Sequence, residues 1–285
     1  MVIQVKSEEN DFTRSQLDIL GLNEHPFRIS ADPRFLYLTE SHKWILEHLN
    51  KSIDWREGLS VIEGPIGLGK TILARRLYDL GMQKQDTELV YIHTASYKSN
   101  LAALRDIAAN FRLRPRQART DQLKDFENYL ITKRKNKVNP VVIIDDAQLI
   151  NSEGLTAFQD MLNFDVTSKL IQIVLFGQSE IHATFGKLPS LLDRVVFWHK
   201  LPSLGNKEML NMISFRVAVA GRDKPMFTDR ALQALLDFST GVPRPLIIVC
   251  NEAMKVILDE GRTEADAPDV NRAIEIYNQR YSPEG

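Results

Sequence analysis

Residues 64–71 read Gly64-Pro65-Ile66-Gly67-Leu68-Gly69-Lys70-Thr71, a complete G-x-x-x-x-G-K-T run, and its surroundings constrain how the chain folds. The five residues before it, Leu59 to Glu63, are mostly apolar and β-branched, as in a buried parallel strand. The residues after it, Ile72 to Tyr78, have helical periodicity. Strand, glycine loop and helix in that order make a phosphate cradle rather than an incidental turn. Glycines let the backbone curl until its N–H groups face phosphate oxygens, and the following helix adds the positive end of its dipole. Lys70 is then placed to reach the β- and γ-phosphates, Thr71 to ligate Mg²⁺, and Gly64 to Ile72 form the nucleotide-binding run.

A chain of 285 residues can bury a sizeable core and suggests two domains, or one with an appendage. The net charge of −1 excludes a global field toward nucleic acid or an anionic membrane, so any such surface must be local. The single cysteine, Cys250, excludes an intramolecular disulfide and reads as a small core residue. Residues 1–10 lack the apolar stretch of a secretory signal, and no run of about 18 apolar residues marks a membrane span. The expected location is the cytosol.

Apolar, β-rich runs at 59–63, 89–94, 141–145, 171–177 and 195–199 alternate with helical stretches, which predicts an α/β fold with a five-stranded parallel sheet covered on both faces. After Pro202 the pattern is helical at 206–220, 228–238, 243–259 and 267–280, a small all-helical domain. The expected division is an N-terminal segment (1–57), an α/β core (58–202) and a helical domain (203–285).

The run Val141-Val142-Ile143-Ile144 ends in Asp145-Asp146, which sets two carboxylates at the C-terminal edge of the sheet, where open α/β sheets bind ligands. Asp145 is expected to hold Mg²⁺, largely through its waters, and Asp146 to orient the attacking water. This order of phosphate loop, acidic strand and helical domain resembles the AAA+ ATPases, and in detail their ExeA (general secretion pathway A) branch. The matching stretches are Asn23-Glu24-His25-Pro26-Phe27, Asp32-Pro33-Arg34-Phe35-Leu36-Tyr37-Leu38, Asp146-Ala147-Gln148, 171–178 and Gly241-Val242-Pro243-Arg244. The same core is similar to that of the TnsC and TniB transposition regulators.

The resemblance implies an AAA+ P-loop NTPase using ATP and Mg²⁺, with residues 203–285 as its lid. It implies that Gln178 is the sensor-1 residue that reads the γ-phosphate, that Arg194 is an arginine finger inserted by a neighbouring subunit, and that Arg244 is the lid arginine, sensor 2. A finger supplied in trans requires a ring or helical filament of identical subunits. Relatives usually carry Asp-Glu where this chain has Asp145-Asp146. Aspartate is shorter by a methylene, and a misplacement of ~1 Å can cost ~100-fold, so hydrolysis is expected to be slow.

ExeA-like secretion proteins join this ATPase to a membrane span and a cell-wall-binding domain, and neither is read in this sequence. The expectation is therefore a DNA transposition regulator, assembled on duplex DNA with ATP and linking a target-site selector to a transposase. An ATPase for secretion or pilus assembly, acting with a membrane partner, is the alternative. Arg112, Arg114, Arg116 and Arg119, with no acid among them, and Lys98 in the loop after the second strand are the expected phosphate-backbone contacts. The basic run 133–137 reads as a helix end whose cations suit the dipole. Trp44, Trp55 and Trp198 read as packing residues, and Phe27 and Phe35 as covering the adenine or bracing the lid.

Overall fold

The computed structural model describes residues 12–29, 32–164 and 168–281. In chain order the elements are α1 (Arg14–Ile19), α2 (Glu40–Asp54), β1 (Leu59–Glu63), α3 (Lys70–Met82), β2 (Thr87–Ile92), α4 (Asn100–Asn110), α5 (Arg119–Lys135), β3 (Asn139–Ile144) and α6 (Ser152–Leu162). They continue with β4 (Gln172–Gly177), α7 (Ile181–Phe185), α8 (Pro189–Leu192), β5 (Val195–Lys200), α9 (Asn206–Val219), α10 (Asp229–Ser239), α11 (Pro243–Asp259) and α12 (Ala267–Tyr281). The chain divides into two compact units, one of residues 40–202, the other joining the segment before Glu40 to that after Pro202.

In the first unit the sheet is five-stranded and parallel, in the order β2-β3-β4-β1-β5. Every residue of β1, β3 and β4 is buried, which is why their sequences are continuous apolar runs rather than alternating ones. The five expected runs all form strands, displaced by no more than two residues at either end. Helix α2 belongs to this unit. Its buried residues, His42, Ile45, Leu46, Leu49, Ser52 and Ile53, recur at helical spacing. At its end, Asn139 donates to the Ile53 carbonyl at 2.7 Å and fixes the helix to β3.

The second unit has its own core, built from Leu17, Leu20, Leu22, Phe27 and Phe35 together with buried residues of α9 to α12. Arg216 organises it. Its buried guanidinium donates to the carbonyls of Pro26 (2.7 Å), Arg28 (3.0 Å) and Phe35 (3.1 Å), satisfying an irregular stretch of backbone that has no ladder of its own. Burial pushes that guanidinium down to about 10, so it remains charged at neutral pH. Arg216→Leu should strand three carbonyls and destabilise this unit by roughly 3–5 kcal/mol, read as a lower denaturant midpoint.

Two expectations are corrected. The compact units do not follow the division at residue 57: α2 packs with the sheet, and residues 12–39 with the helices after Pro202. Phe27 and Phe35 are both buried in the helical core, Phe27 edge-on to Phe227. Trp55 is 69% exposed, because it follows the last turn of α2 and lies past the buried stripe. Cys250 is buried as expected. Among the described residues no helix is long and apolar enough to cross a membrane.

Candidate nucleotide site

The parallel register brings the ends of β1, β3 and β4 to one edge of the sheet. Glu63 is level with Gly177, Gly64 N donates to Gly177 O at 3.1 Å, and Asp145 N donates to Ile92 O at 2.9 Å. The loop leaving β1 therefore opens beside the residues leaving β3 and β4.

Within that loop Gly67 (φ +86°) and Gly69 (φ +91°) are left-handed, a conformation that side chains rarely adopt. Gly64 has a different reason: a Cβ there would lie 3.2 Å from Leu201 Cβ. Leu68 is buried and anchors the loop, while Pro65 and Ile66 are exposed at its tip. Gly69 caps α3, whose first N–H groups have no acceptor within the helix. The Lys70 ammonium is buried and donates to Gly64 O (2.7 Å) and Pro65 O (2.8 Å). Burial pushes its pKa down, while Asp145, Asp146 and Glu180 pull the other way. Thr71 and Ile72, both half-buried, follow in the first turn of α3.

Asp145 is buried at the end of β3. One carboxylate oxygen accepts from the Asp146 N–H at 3.0 Å, and the other from the Tyr91 hydroxyl at 3.3 Å. Burial, then Asp145 itself, pushes the Tyr91 phenol upward, so it stays a donor. Asp146 is exposed and left-handed (φ +48°). Its carboxylate accepts from Gln148 Nε2 at 3.0 Å, and Gln148 Oε1 accepts from Gln178 N at 3.1 Å. Gln178 itself directly follows β4. Lys70, Thr71, Asp145, Asp146 and Gln178 thus share one edge of the sheet.

Arg194 does not. It directly precedes β5, which runs parallel to β1 with Leu59 level with Val195, so Arg194 lies at the opposite edge. The separation is roughly 16 Å of strand at ~3.3 Å per residue. Arg194 is half-buried and donates to Leu162 O at 3.2 Å. Arg244 is exposed in the first turn of α11, in the helical unit.

The arginine cluster is less available than its sequence suggested. Arg116 pairs with Asp125 at 2.5 Å and Arg119 with Asp160 at 2.6 Å, the acids coming from elsewhere in the chain. Arg119 also donates to Asn100 at 2.9 Å. Lys98, Arg112 and Arg114 are exposed and make no side-chain hydrogen bond or ion pair among the described residues. The basic run 133–137 does end α5, with Lys133 paired to Glu88 at 2.7 Å.

Sequence reasoning missed Tyr91 and gave Gln148 no role. Tyr91 sits in a strand where a tyrosine reads as packing, and the two bonds of Gln148 depend on how separate strand ends meet.

A buried lysine in a left-handed glycine loop at a helix start, facing a buried carboxylate at the same sheet edge, has the donors and the anion that a nucleoside triphosphate with Mg²⁺ requires. With the strand order of the sheet, this defines a P-loop nucleotide-binding α/β fold. In comparison with known proteins, residues 53–185 match the AAA domain family AAA_22. The chain is 31% identical over 260 residues to general secretion pathway protein A of Aeromonas hydrophila, covering 89% of this chain and 47% of that protein. It thus spans less than half the length of that relative. The fold is similar to that of the Aeropyrum pernix ORC2 protein in ADPNP–ADP complexes (TM-score 0.66, 16% identity, 91% of this chain and 72% of that one). It is similar also to Drosophila ORC bound to DNA (TM-score 0.66, 16% identity, 97% and 70%).

Proposed function

We propose that the chain is a nucleotide-dependent assembly switch, in which ATP and Mg²⁺ bound by one subunit are completed by Arg194 of the next, forming a ring or helical filament. The carrying observation is the placement of Arg194 at the sheet edge opposite Lys70 and Asp145, which supports a finger that would reach a neighbour's site rather than its own. The backbone of Gly64 to Ile72 and Lys70 would hold the phosphates, Thr71 and Asp145 the Mg²⁺, and Arg244 would act as the lid arginine. Bound Mg²⁺ would supply charge neutralisation across the transferred phosphoryl group. Asp146 holds and directs the attacking water, and Gln178 senses the γ-phosphate. The short Asp146 side chain makes turnover slow, which suits a switch better than a motor.

In the first reading the assembled form sits on duplex DNA as a TnsC-like transposition regulator, joining a target selector to a transposase. Lys98, Arg112 and Arg114 favour it as exposed cations, with Arg116 and Arg119 contributing only where phosphate displaces Asp125 and Asp160. The second reading is secretion or pilus work with a membrane partner, favoured by the 31% identity to general secretion pathway protein A. A salt titration of duplex binding with a non-hydrolysable ATP analogue separates them. The log–log slope should steepen by ~0.9 per phosphate contacted, and Lys98→Ala, Arg112→Ala and Arg114→Ala should each flatten it by about that amount per subunit. No binding at low salt would eliminate the DNA reading and leave the secretion one.

A further inference from the structure

Three residues from two strand ends form an unbroken hydrogen-bonded line at the site: Gln178, Gln148 and Asp146. The amide of Gln148 has only one orientation that serves both neighbours. Gln178 N–H can only donate, so Oε1 must face it (3.1 Å), and Nε2 is then left to donate to the Asp146 carboxylate (3.0 Å). No other side chain among the described residues is seen to hold the Asp146 carboxylate. Asp146 also stands in a left-handed backbone conformation, which residues other than glycine adopt rarely and keep only where the surroundings hold them there.

The turn that carries Gln148 is pressed against the end of β4. A Cβ at Gly177 would stand 3.1 Å from Gln148 N and 3.3 Å from Ala147 Cβ. Leu149 N also donates to Asp146 O at 3.0 Å, closing the turn on itself. A displacement of Gln178 is therefore not absorbed by slack; it is passed to Gln148 and so to Asp146.

We propose that Gln148 is a positioning residue that couples Gln178 to Asp146, so that what β4's end senses at the nucleotide decides where the water-directing carboxylate points. This rests on the nucleotide-switch reading given above. Gln148 acts in this reading through Asp146, not on the nucleotide itself. Its amide sets the direction of one carboxylate oxygen and leaves the other for the water.

The test uses the full chain, with turnover, the Kd of a fluorescent ATP analogue and assembly each measured. Gln148→Ala should lower kcat at least ~10-fold while leaving Kd and assembly within about twofold, because the phosphate loop is untouched. Gln178→Ala keeps the backbone N–H that bonds Gln148 and removes only the side chain that would read the nucleotide; harmful on its own, it should add little in the Gln148→Ala background, where that reading is no longer passed on. Gln148→Glu provides a readout that a merely structural role would not move. Its carboxylate would repel Asp146 at alkaline pH, and on acidification the protonated form would donate in place of the amide. Its turnover relative to the parent should therefore recover as pH falls from about 8 to about 6.

Parent-like turnover in Gln148→Ala, additive losses with Gln178→Ala, or a flat relative pH profile for Gln148→Glu would each overturn the coupling. So would loss of nucleotide binding in Gln148→Ala, which would make Gln148 part of the cradle. If the parent chain neither binds nucleotide nor assembles, the switch reading fails instead, and that result is read before any Gln148 variant is compared.

Discussion

Lys70→Ala should abolish nucleotide binding and, with it, assembly. The ammonium is the one cation buried inside the glycine loop, held 2.7 Å from Gly64 O and 2.8 Å from Pro65 O. Charge-assisted hydrogen bonds contribute ~1.5–3 kcal/mol each, and a triphosphate offers this lysine at least two oxygens. The loss should raise Kd by at least ~100-fold, about 2.8 kcal/mol, measured by titration of a fluorescent ATP analogue. Folding should survive at a modest cost, because water can replace the donor at the exposed Pro65 and only the buried Gly64 carbonyl is left without it. A thermal midpoint lowered by only a few degrees would confirm that the defect is in binding. Light scattering or electron microscopy should then find only monomers with or without ATP. Assembly persisting without bound nucleotide would remove ATP as the switch.

That the loop was legible from sequence, and much around it was not, has a physical reason. The glycines, Lys70 and the apolar run before them are contiguous, and their conformations follow from local rules. The same holds for β3, whose four apolar residues and two aspartates declare a buried strand with an acidic end. The backbone at Pro26, Arg28 and Phe35 obeys no such rule. Its carbonyls are satisfied by Arg216, some 180 to 190 positions away, and an arginine in a helical stretch gives no sign that it points inward at distant backbone. The arginine cluster shows the opposite failure. Counting acids within the run 112–119 found none, yet Asp125 on the next helix and Asp160 on α6 neutralise two of its four charges. Gln148 lies between these cases. It stands two residues from Asp146, but its meaning depends on Gln178, and parallel strands bring the two together only through the order β3-β4-β1.

Arg194→Ala should leave the monomer's ATP affinity unchanged and lower turnover of the assembly by ~10³-fold or more, the size of effect that a finger supplied in trans commonly has. The geometry makes the trans assignment testable by mixing. Arg194 sits before β5 at one edge of the sheet, and Asp145 directly follows β3 at the other, so in the proposed ring each site would draw on two chains. Asp145→Asn should bind nucleotide and assemble but not hydrolyse, while still presenting its own Arg194. A 1:1 mixture of Arg194→Ala and Asp145→Asn chains, each inactive alone, should regain about a quarter of wild-type turnover, because a productive boundary needs one particular chain on each side. If Arg194 served its own protomer, no mixture would regain anything, since every chain would carry one lesion in its only site. The bond from Arg194 to Leu162 O at 3.2 Å bears on the energetics. Breaking it costs ~1 kcal/mol, which is small beside the ~4 kcal/mol that a thousandfold rate effect represents, so the arginine can leave its own chain for its neighbour's phosphate. A variant that keeps the arginine charge but shortens its reach, Arg194→Lys, should recover little, because the planar fork rather than the charge alone spans the boundary.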